Sequence, residues 1–596
     1  MRTFSIIIIS SLLLMANQCS KIKMTPDPEP EQDVETSVIP LAENTIYTYA
    51  LSNSLTPGCY DECVAASTLQ GILNRQGPVM YLHGANTNKT SRWIEMFSKP
   101  GGWLEGRQQV KLESFGELLR LGKNVLKGVI IYDPDVPATI NVATTMAGVE
   151  DGIVFSPEQV EKYAAEYGLA ILHDFRGQFD GSLSGSAKND AYRWAIDNYL
   201  DKGLCSTTQS FLYEDSRYNR PVGNLEYTYC RDFAVKERGF VFDLSPWEDE
   251  APRDDPSQPL GTDKATYIRI LESYLRQTAG QHMTCLNGFF SKKKYSEISG
   301  LGGAHGQVAT EWESVWLASP YNVYMDTGPG EVYNMSFHSN APFNPMKQGR
   351  PQLGQPQDGK TYLLFQLADY DGAGPLWEYM LNGIWNDDNR GSIPVVWGIN
   401  PNLIDKLPDI MQYIWSTKTD ADWFGADASC AGYINPNRIQ SQYLPLFVEH
   451  NKKYYDMCDI SISPMVLDQS QPSEAVKNAF MEFSPDGMAT IVMNYHGGGT
   501  GLANHVWNNT MPVFNLNNSV CGMGNQPEEL AAGISKVIPK SSGTTPRYYM
   551  FRVIWVGPGK IINAVNQLRT LRPDLDIEVL DPYNFFHYFK TTYNQH

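Results

Sequence analysis

Short apolar runs alternate with amphipathic stretches through the first half of the chain, from about residue 44 to residue 259. Residues 64–73 (VAASTLQGIL) predict a helix, and the apolar run at residues 78–82 (PVMYL) predicts the strand after it. The same pattern predicts strands at residues 127–132, 152–155 and 169–172, and a helix at residues 157–167. Alternating short strands and helices are typical of a mostly parallel sheet.

The pattern becomes more regular after residue 361, where most candidate strands are followed by a helix. We predict strands at residues 362–367, 393–399, 423–426, 460–466, 489–495, 512–515, 548–556 and 577–580. Helices are predicted at residues 375–385, 404–415, 441–455, 473–480, 527–537 and 560–571. Such repeats predict a (β/α)₈ barrel or a doubly wound sheet, and extra strands near residues 285–289 and 323–325 leave the number of strands open.

One acidic, proline-rich segment separates these two regions. Residues 247–263 (WEDEAPRDDPSQPLGTD) have the composition of a domain boundary. We therefore predict an α/β protein in which an N-terminal α/β domain with a parallel sheet, residues 44–259, precedes a C-terminal (β/α)-barrel-like domain, residues 260–596.

The first residues of the chain have the features of an export signal. Arg2 precedes an apolar run that is too short to span a bilayer permanently, so residues 1–18 are predicted to be a signal peptide. Cys19 resembles the lipidation cysteine of bacterial lipoproteins; the alternative is ordinary cleavage beside an incidental cysteine. Residues 19–43 are predicted to be a tether, because prolines and acidic residues alternate there. We expect an exported lipoprotein of the bacterial cell envelope, in the periplasm or at the outer membrane.

Charge and composition narrow the class of ligand. The formal net charge of −19 argues against a nucleic-acid partner and favours a neutral or cationic ligand over a polyanion. Aromatic residues make up 12% of the chain, which suits sugar binding, although large cores also use aromatic residues. No His or Cys cluster has metal-ligand spacing, so we predict neither a metal nor another cofactor.

Polar residues follow several predicted C-terminal strands, at the strand ends where ligands bind in either architecture. Asp369 and Asp371 end the first of these strands, and an extended chain would point both carboxylates to the same side. Asn400 and Asp427 follow the next two strands, and His496 follows a later one. Core packing does not explain these residues, but an aspartate there could cap a helix or turn, and His496 could be a structural histidine.

The segment at residues 430–436 (CAGYINP) resembles the signature of a known family. It resembles the motif that names the GxGYxYP family of glycoside hydrolase-like proteins. Gly432, Tyr433 and Pro436 match the motif, whereas Cys430 and Asn435 depart from it.

Two other segments extend this resemblance over most of the mature chain. Residues 369–372 (DYDG) resemble an Asp-Gly-Asp-Asn segment of the family and keep both aspartates, and residues 69–75 (LQGILNR) resemble its N-terminal domain. The resemblance implies an N-terminal α/β domain, a barrel-like C-terminal domain and an envelope protein that processes glycans.

Glycoside hydrolysis usually needs two carboxyl groups, one as an acid and the other as a base or nucleophile. We predict that Asp371 or Asp369 acts with Asp427 as the catalytic pair. A carboxyl separation near about 5 Å would predict retention of configuration and one of about 6.5–9.5 Å inversion, and the sequence leaves both open.

Other residues are predicted to bind the sugar. Asn400 and His496 could hydrogen-bond to hydroxyl groups, and Trp377, Trp397 and Tyr433 could stack on sugar rings.

The sequence thus predicts a glycoside hydrolase that acts on an oligo- or polysaccharide at the cell envelope. The alternative is a non-catalytic carbohydrate-binding surface lipoprotein on the same scaffold, which the departures from the family motifs at Gly372, Cys430 and Asn435 favour. A hydrolase of ester or amide bonds is a third alternative, although the sequence has no G-x-S-x-G nucleophile elbow.

Overall fold

The computed structural model describes residues 37–51, 57–84, 87–213, 230–288, 305–328, 332–381, 383–493, 496, 502–516, 526–540 and 543–595. The described strands are β1 (Thr45–Ala50), β2 (Met80–His83), β3 (Gln108–Leu112), β4 (Gly128–Ile131), β5 (Gly152–Phe155), β6 (Ile171–Asp174), β7 (Gln209–Leu212), β8 (Phe240–Phe242), β9 (Thr284–Gly288), β10 (Val323–Asp326), β11 (Lys360–Tyr370), β12 (Val395–Ile399), β13 (Asp422–Ala426), β14 (Ile462–Asp468), β15 (Gly487–Val492), β16 (His505–Trp507), β17 (Met511–Asn515), β18 (Arg547–Ile554) and β19 (Asp576–Val579). The described α-helices are α1 (Pro57–Leu73), α2 (Thr87–Phe97), α3 (Phe115–Gly122), α4 (Ala138–Glu150), α5 (Pro157–Gln159), α6 (Ala187–Ala195), α7 (Arg231–Glu237), α8 (Thr262–Thr278), α9 (Gln307–Ala318), α10 (Met335–His338), α11 (Pro408–Thr417), α12 (Leu444–Cys458), α13 (Glu474–Met481), α14 (Pro527–Val537), α15 (Pro558–Leu571) and α16 (Pro582–Gln595).

The N-terminal strands form two parallel sheets, in the orders β2-β1-β3 and β5-β4-β6. The predicted helix at residues 157–167 begins as α5, where Ser156 and Gln159 form a reciprocal capping box. It continues as a π-helical turn, Val160–Ala164. The prediction of a parallel α/β arrangement in this region is confirmed.

A third parallel sheet has the order β10-β9-β7-β8. β7 and β8 precede residue 259, whereas β9 and β10 follow it. The proline-rich segment at residues 247–263 thus connects strands of one sheet, and it leads directly into α8. The division into domains at residue 259 stays a prediction.

β11 is the central strand of the C-terminal region. It pairs in parallel with β12, β18 and β19, and β13 extends this sheet beyond β12. Nearly every residue of β11 is buried, which explains why residues 362–367 are apolar except for Gln366, because a central parallel strand is covered on both faces.

The remaining C-terminal strands form a sheet in the order β14-β15-β17-β16, in which only β16 is antiparallel to its neighbour. All eight strands predicted after residue 361 overlap observed strands, and β16 is an additional one. The described ladders therefore form two sheets, and closure into a barrel stays a prediction.

The predicted signal peptide at residues 1–18, Cys19 and most of the predicted tether lie outside the described residues. Of the helices that the structure describes, none is long and apolar enough to cross a membrane. Export and lipid anchoring therefore stay predictions.

Candidate active site

β11 ends in an irregular turn that brings Asp369 and Asp371 to one cavity. Its register with β12 shifts between Leu367 and Tyr370, and Asp369 has φ 69°, in the left-handed region that aspartate adopts more readily than most residues. The prediction that both carboxylates point to the same side assumed an extended chain. The chain at Asp369 is not extended, so this assumption is wrong. Both residues nevertheless line the same cavity.

Asp427 follows β13 and directs its carboxylate across β12 toward β11. The carboxylate passes over Gly398, where a Cβ atom would lie 2.3 Å from Asp427 Oδ2, so this close approach requires glycine. Oδ1 accepts hydrogen bonds from Gln366 Nε2 at 3.1 Å and from the Ala428 amide at 2.9 Å. Oδ2 accepts one from the Asp369 amide at 3.3 Å. Asp427 is fully buried, so its carboxylate ties the ends of β11 and β13 together rather than facing a ligand.

Arg552 on β18 reaches the same place from the neighbouring strand. It lies beside Gln366 in the parallel register of β11 and β18, and its Nη2 donates to Asp369 Oδ1. The side chain of Arg552 is 16% exposed and lines the cavity. The sequence analysis did not single out this residue, although a charged side chain within the apolar run at residues 548–556 was a usable signal.

Burial raises the pKa values of all three aspartates, and neighbouring carboxylates add to the rise at Asp371 and Asp427. Burial raises the pKa of Asp427 to about 6, while the guanidinium of Arg552 opposes the rise. Burial is also the largest cause of a pKa of Asp371 well above its usual range, and the charges of Asp427, Asp369 and Glu311 add to it. Burial raises the pKa of Asp369 as well, and Arg552 again lowers it. Asp371 is therefore the carboxyl group at this site that is most favoured to hold a proton.

The cavity has a volume of about 430 Å³, within the range of small-molecule sites. Much of its lining is apolar, including Trp312, Met465 and Trp555. Its polar side chains are those of Glu311, Thr327, Asp369, Asp371, Tyr433 and Arg552. Carboxyl groups in an apolar surrounding can move protons at neutral pH, because burial shifts their pKa values upward.

The segment that carries the family signature positions Tyr433 in this lining. Tyr433 and Met325 exchange two backbone hydrogen bonds of 2.8 Å. Gly432 has φ 104°, and a Cβ atom there would lie 2.1 Å from the ring of Tyr324, so only glycine fits. Pro436 is buried and begins a short 3₁₀ helix. Tyr433 thus lines the cavity with 2% of its surface exposed, through a backbone that two of the motif residues help to shape, and its stacking on a sugar ring stays a prediction.

Asn400 faces a buried ion pair instead of the cavity. It is 3% exposed, and its Nδ2 donates to Asp326 Oδ1 at 2.6 Å. Asp326 also pairs with Lys406, and both side chains are buried. The Oδ1 atom of Asn400 accepts from the Asn402 amide and caps a short 3₁₀ helix. The structure does not bring Asn400 to the predicted sugar site, because capping and the ion pair use its side chain.

Trp377 and Trp397 are core residues and do not line the cavity. Trp377 is 2% exposed and packs near Tyr333, with ring centroids 6.0 Å apart. Trp397 is fully buried, donates from Nε1 to Asp422 Oδ1 at 2.9 Å and packs against Tyr370. Both rings are buried in the core, so neither ring face is open to stack on a sugar as predicted.

His496 is exposed and lies outside the cavity lining. Its ring stacks on Trp316 with centroids 4.2 Å apart, and its Nε2 contacts Glu313 Oε2 at 2.9 Å. These contacts are consistent with the structural alternative for His496. The glycines at residues 497–499 lie outside the described residues.

Glu311 on α9 is a second residue of the site that the sequence analysis missed. It lines the cavity together with Asp369 and Asp371, although it precedes them by more than fifty residues in the chain. Within the part of the chain that the structure describes, no group of three or more His, Cys, Asp or Glu side chains is placed to hold a metal ion. The site itself offers carboxyl groups, one guanidinium and one phenol, which can move protons and form hydrogen bonds.

Two family models match the chain. The model described as "GxGYxYP putative glycoside hydrolase C-terminal domain" matches residues 359–590, and the model described as "GxGYxYP_N second domain" matches residues 126–203. The first match contains Asp369, Asp371 and Asp427, together with the signature segment. No curated protein matches the chain.

Two solved structures resemble this one. A crystal structure described as that of "a putative hydrolase from Bacteroides thetaiotaomicron VPI-5482" is 19% identical, with a TM-score of 0.65, and the match covers 92% of this chain and 95% of that chain. At this identity the likeness establishes the fold alone. A structure described as a "putative polysaccharide deacetylase from Mycobacterium smegmatis" is 10% identical, with a TM-score of 0.27, and covers 41% of this chain and 95% of that chain, which is too distant to support any argument.

The close approach of Asp427 to Gly398 predicts that Gly398→Ala destabilises the protein. The added methyl group would overlap the carboxylate, so strands or side chains must shift, at a cost of about 1–3 kcal/mol in the free energy of unfolding. Gly58→Ala in α1 is the matched control, because a Cβ atom there meets nothing within 4 Å. Urea unfolding would measure both variants, and equal stability of Gly398→Ala and the wild type would contradict the assigned contact.

The raised pKa of Asp427 predicts a pH-dependent loss of stability. Between about pH 4 and pH 6 the folded state binds this proton more tightly than the unfolded state, so stability falls as the pH rises. The loss from this group is about 3 kcal/mol and is complete near pH 7. An asparagine does not titrate, so the Asp427→Asn variant lacks this pH-dependent loss. The unfolding free energy of the variant should therefore rise relative to that of the wild type from pH 4 to pH 7. A constant difference would mean that the pKa is not raised.

Proposed function

This chain belongs to the GxGYxYP family, and from that premise we propose that it hydrolyses a glycosidic bond of a glycan bound in the cavity between α9 and the carboxyl end of β11. The observation that carries the proposal is Asp371, a carboxyl group that lines the cavity and has a pKa held well above its usual range. A glycosidic oxygen needs a proton as its bond to the anomeric carbon breaks, and a carboxyl group that stays protonated can donate it.

Asp427 and Asp369 have positioning roles in this proposal. Asp427 accepts three hydrogen bonds and is fully buried, so it holds the ends of β11 and β13 together. Asp369 is paired with Arg552, which fixes the geometry next to Asp371. The two carboxylates also disfavour ionisation of Asp371 and so help to keep its proton in place.

The cavity lining supports a glycan ligand. Trp312, Tyr433 and Trp555 contribute aromatic surface, which suits the apolar faces of sugar rings. Four carboxyl groups lie in or beside the cavity, those of Glu311, Asp369, Asp371 and Asp427, against the single guanidinium of Arg552. This balance favours a neutral or cationic glycan over a polyanionic one.

We also propose that the two C-terminal sheets adjoin as parts of a barrel-like layer. Ser429, just after β13, donates a backbone hydrogen bond to Met465 of β14 at 3.0 Å. Pro464 lies against Gly425, where a Cβ atom would meet it at 2.6 Å. Proline cannot donate to a ladder, which explains why β13 and β14 adjoin without regular pairing.

Asp371→Asn should lower glycan hydrolysis by about 10²–10⁴-fold, because the variant has no proton to give to the leaving oxygen. Release of reducing ends from a panel of neutral and amino-sugar glycans would measure the effect. Asp388→Asn, at an exposed position outside the cavity lining, is the control and should keep full activity. Full turnover by Asp371→Asn on a glycan that the wild type cleaves would disprove the assignment.

The same panel separates hydrolysis from the alternative of a non-catalytic carbohydrate-binding protein. If the wild type binds glycans by calorimetry but releases no reducing ends from any of them, the binding alternative is correct.

We propose, in addition, that the protein is exported and anchored to the cell envelope through a lipid on Cys19. The apolar run before Cys19 and the acidic, proline-rich segment after it support this proposal.

Cys19→Ser should abolish incorporation of an alkyne-labelled fatty acid and release the protein from the membrane fraction, because the modified thiol is lost. Ser20→Ala is the control and should remain labelled and membrane-bound. Labelling that persists in Cys19→Ser would place the anchor elsewhere.

A further inference from the structure

The carboxyl groups at the site differ in their access to the cavity. Asp427 is fully buried and absent from the cavity lining, and Asp369 is paired with Arg552. Asp371 lines the cavity and serves as the acid in the proposed function. Hydrolysis needs a second carboxyl group. Asp427 does not line the cavity, and Asp369 lines it with its Oδ1 bound by Arg552, so the strand ends supply no second carboxyl group that is independent of this ion pair.

Glu311 reaches the cavity from α9. It lies three residues after Val308 and one before Trp312, and all three line the cavity. This spacing of three and four residues places them on one face of the helix, so the face that carries Glu311 forms a wall of the cavity. Glu313, two residues on, is 5% exposed and contacts His496 and Lys264 instead.

Electrostatic coupling places Glu311 near the reacting groups as well. Its charge contributes to the raised pKa of Asp371, after burial and the two other aspartates. For Tyr433 it is the largest cause of a raised pKa after burial, ahead of Asp371. Glu311, Asp371 and Tyr433 therefore all line the cavity within electrostatic range of each other.

From this arrangement we infer that Glu311 is the second catalytic carboxyl group and acts as the base that activates water opposite Asp371. The inference rests on the proposed function. Glu311 and Asp371 come from different elements around a cavity of about 430 Å³, which leaves room for a water molecule beside the sugar, as inverting hydrolysis requires.

The reaction balances with one water molecule. Glu311 takes a proton from water as the water oxygen bonds to the anomeric carbon, and the bond from that carbon to the glycosidic oxygen breaks. Asp371 gives its proton to that oxygen, so each fragment ends with a hydroxyl group. The proton on Glu311 returns to Asp371 through solvent, which restores both groups.

Glu311→Gln tests the inference on a glycan that the wild type cleaves. We expect kcat to fall by about 10²–10⁴-fold with KM changed by less than about threefold, because the base acts on water and not on substrate binding. The low-pH side of the kcat profile should flatten, since the base no longer needs to ionise. Glu313→Gln on the same helix is the matched control and should keep near wild-type kcat.

A second variant guards against misfolding. Glu311→Ala should regain part of its turnover when azide is added, because azide can enter the vacated space and attack without a base, and a misfolded protein would not respond. Proton NMR of the first product should show inversion at the anomeric carbon.

Each result decides between the two proposals. Full kcat in Glu311→Gln, or retention of configuration by the wild type, overturns the role of Glu311 while leaving the hydrolase proposal intact if Asp371→Asn is inactive. A wild type that cleaves no glycan overturns both.

Discussion

The carboxylate of Asp427 crosses the backbone of β12 at Gly398 and accepts hydrogen bonds from Gln366, from the Asp369 amide and from its own neighbour Ala428. This contact joins the ends of β11, β12 and β13 at the point where β11 leaves its regular register. A buried carboxylate is costly unless its acceptor sites are used, and here they are used by groups that must themselves be satisfied. The position of the site therefore depends on Gly398, which has no side chain, and on Asp427, whose carboxylate packs over it.

The same burial gives the site its chemistry. Burial raises the pKa values of Asp369, Asp371 and Asp427, the charges of Asp369 and Asp427 add to the rise at Asp371, and Arg552 offsets only part of these effects. Much of the cavity lining is apolar, so little solvent is available to stabilise the charges. The pKa of Asp371 is held well above its usual range, because this residue combines burial with three neighbouring carboxylates. Asp371 also lines the cavity. Burial of this kind costs stability, and it is a common way for proteins to keep a carboxyl group protonated.

The walls of the cavity come from segments far apart in the sequence. α9 contributes Glu311 and Trp312, the turn after β11 contributes the aspartates, the signature segment contributes Tyr433, and β18 contributes Arg552. Gly432 and Gly398 play parallel roles, because each allows one segment to approach another more closely than a side chain would permit. The signature segment of the family thus acts through packing, in which a glycine and a proline shape the backbone and a tyrosine reaches the cavity.

The sequence by itself determined the strands of the C-terminal region and the meeting of Asp369, Asp371 and Asp427, because buried parallel strands require apolar runs and their carboxyl ends share one edge. Only the tertiary structure decided which polar and aromatic residues line the cavity. Asn400, Trp377 and Trp397 have the residue types of a sugar site but are buried against other elements, whereas Glu311 and Arg552 enter from α9 and β18. The physical reason is that exposure and side-chain direction depend on what packs against a residue from distant segments, which a local pattern of apolar and polar positions does not contain.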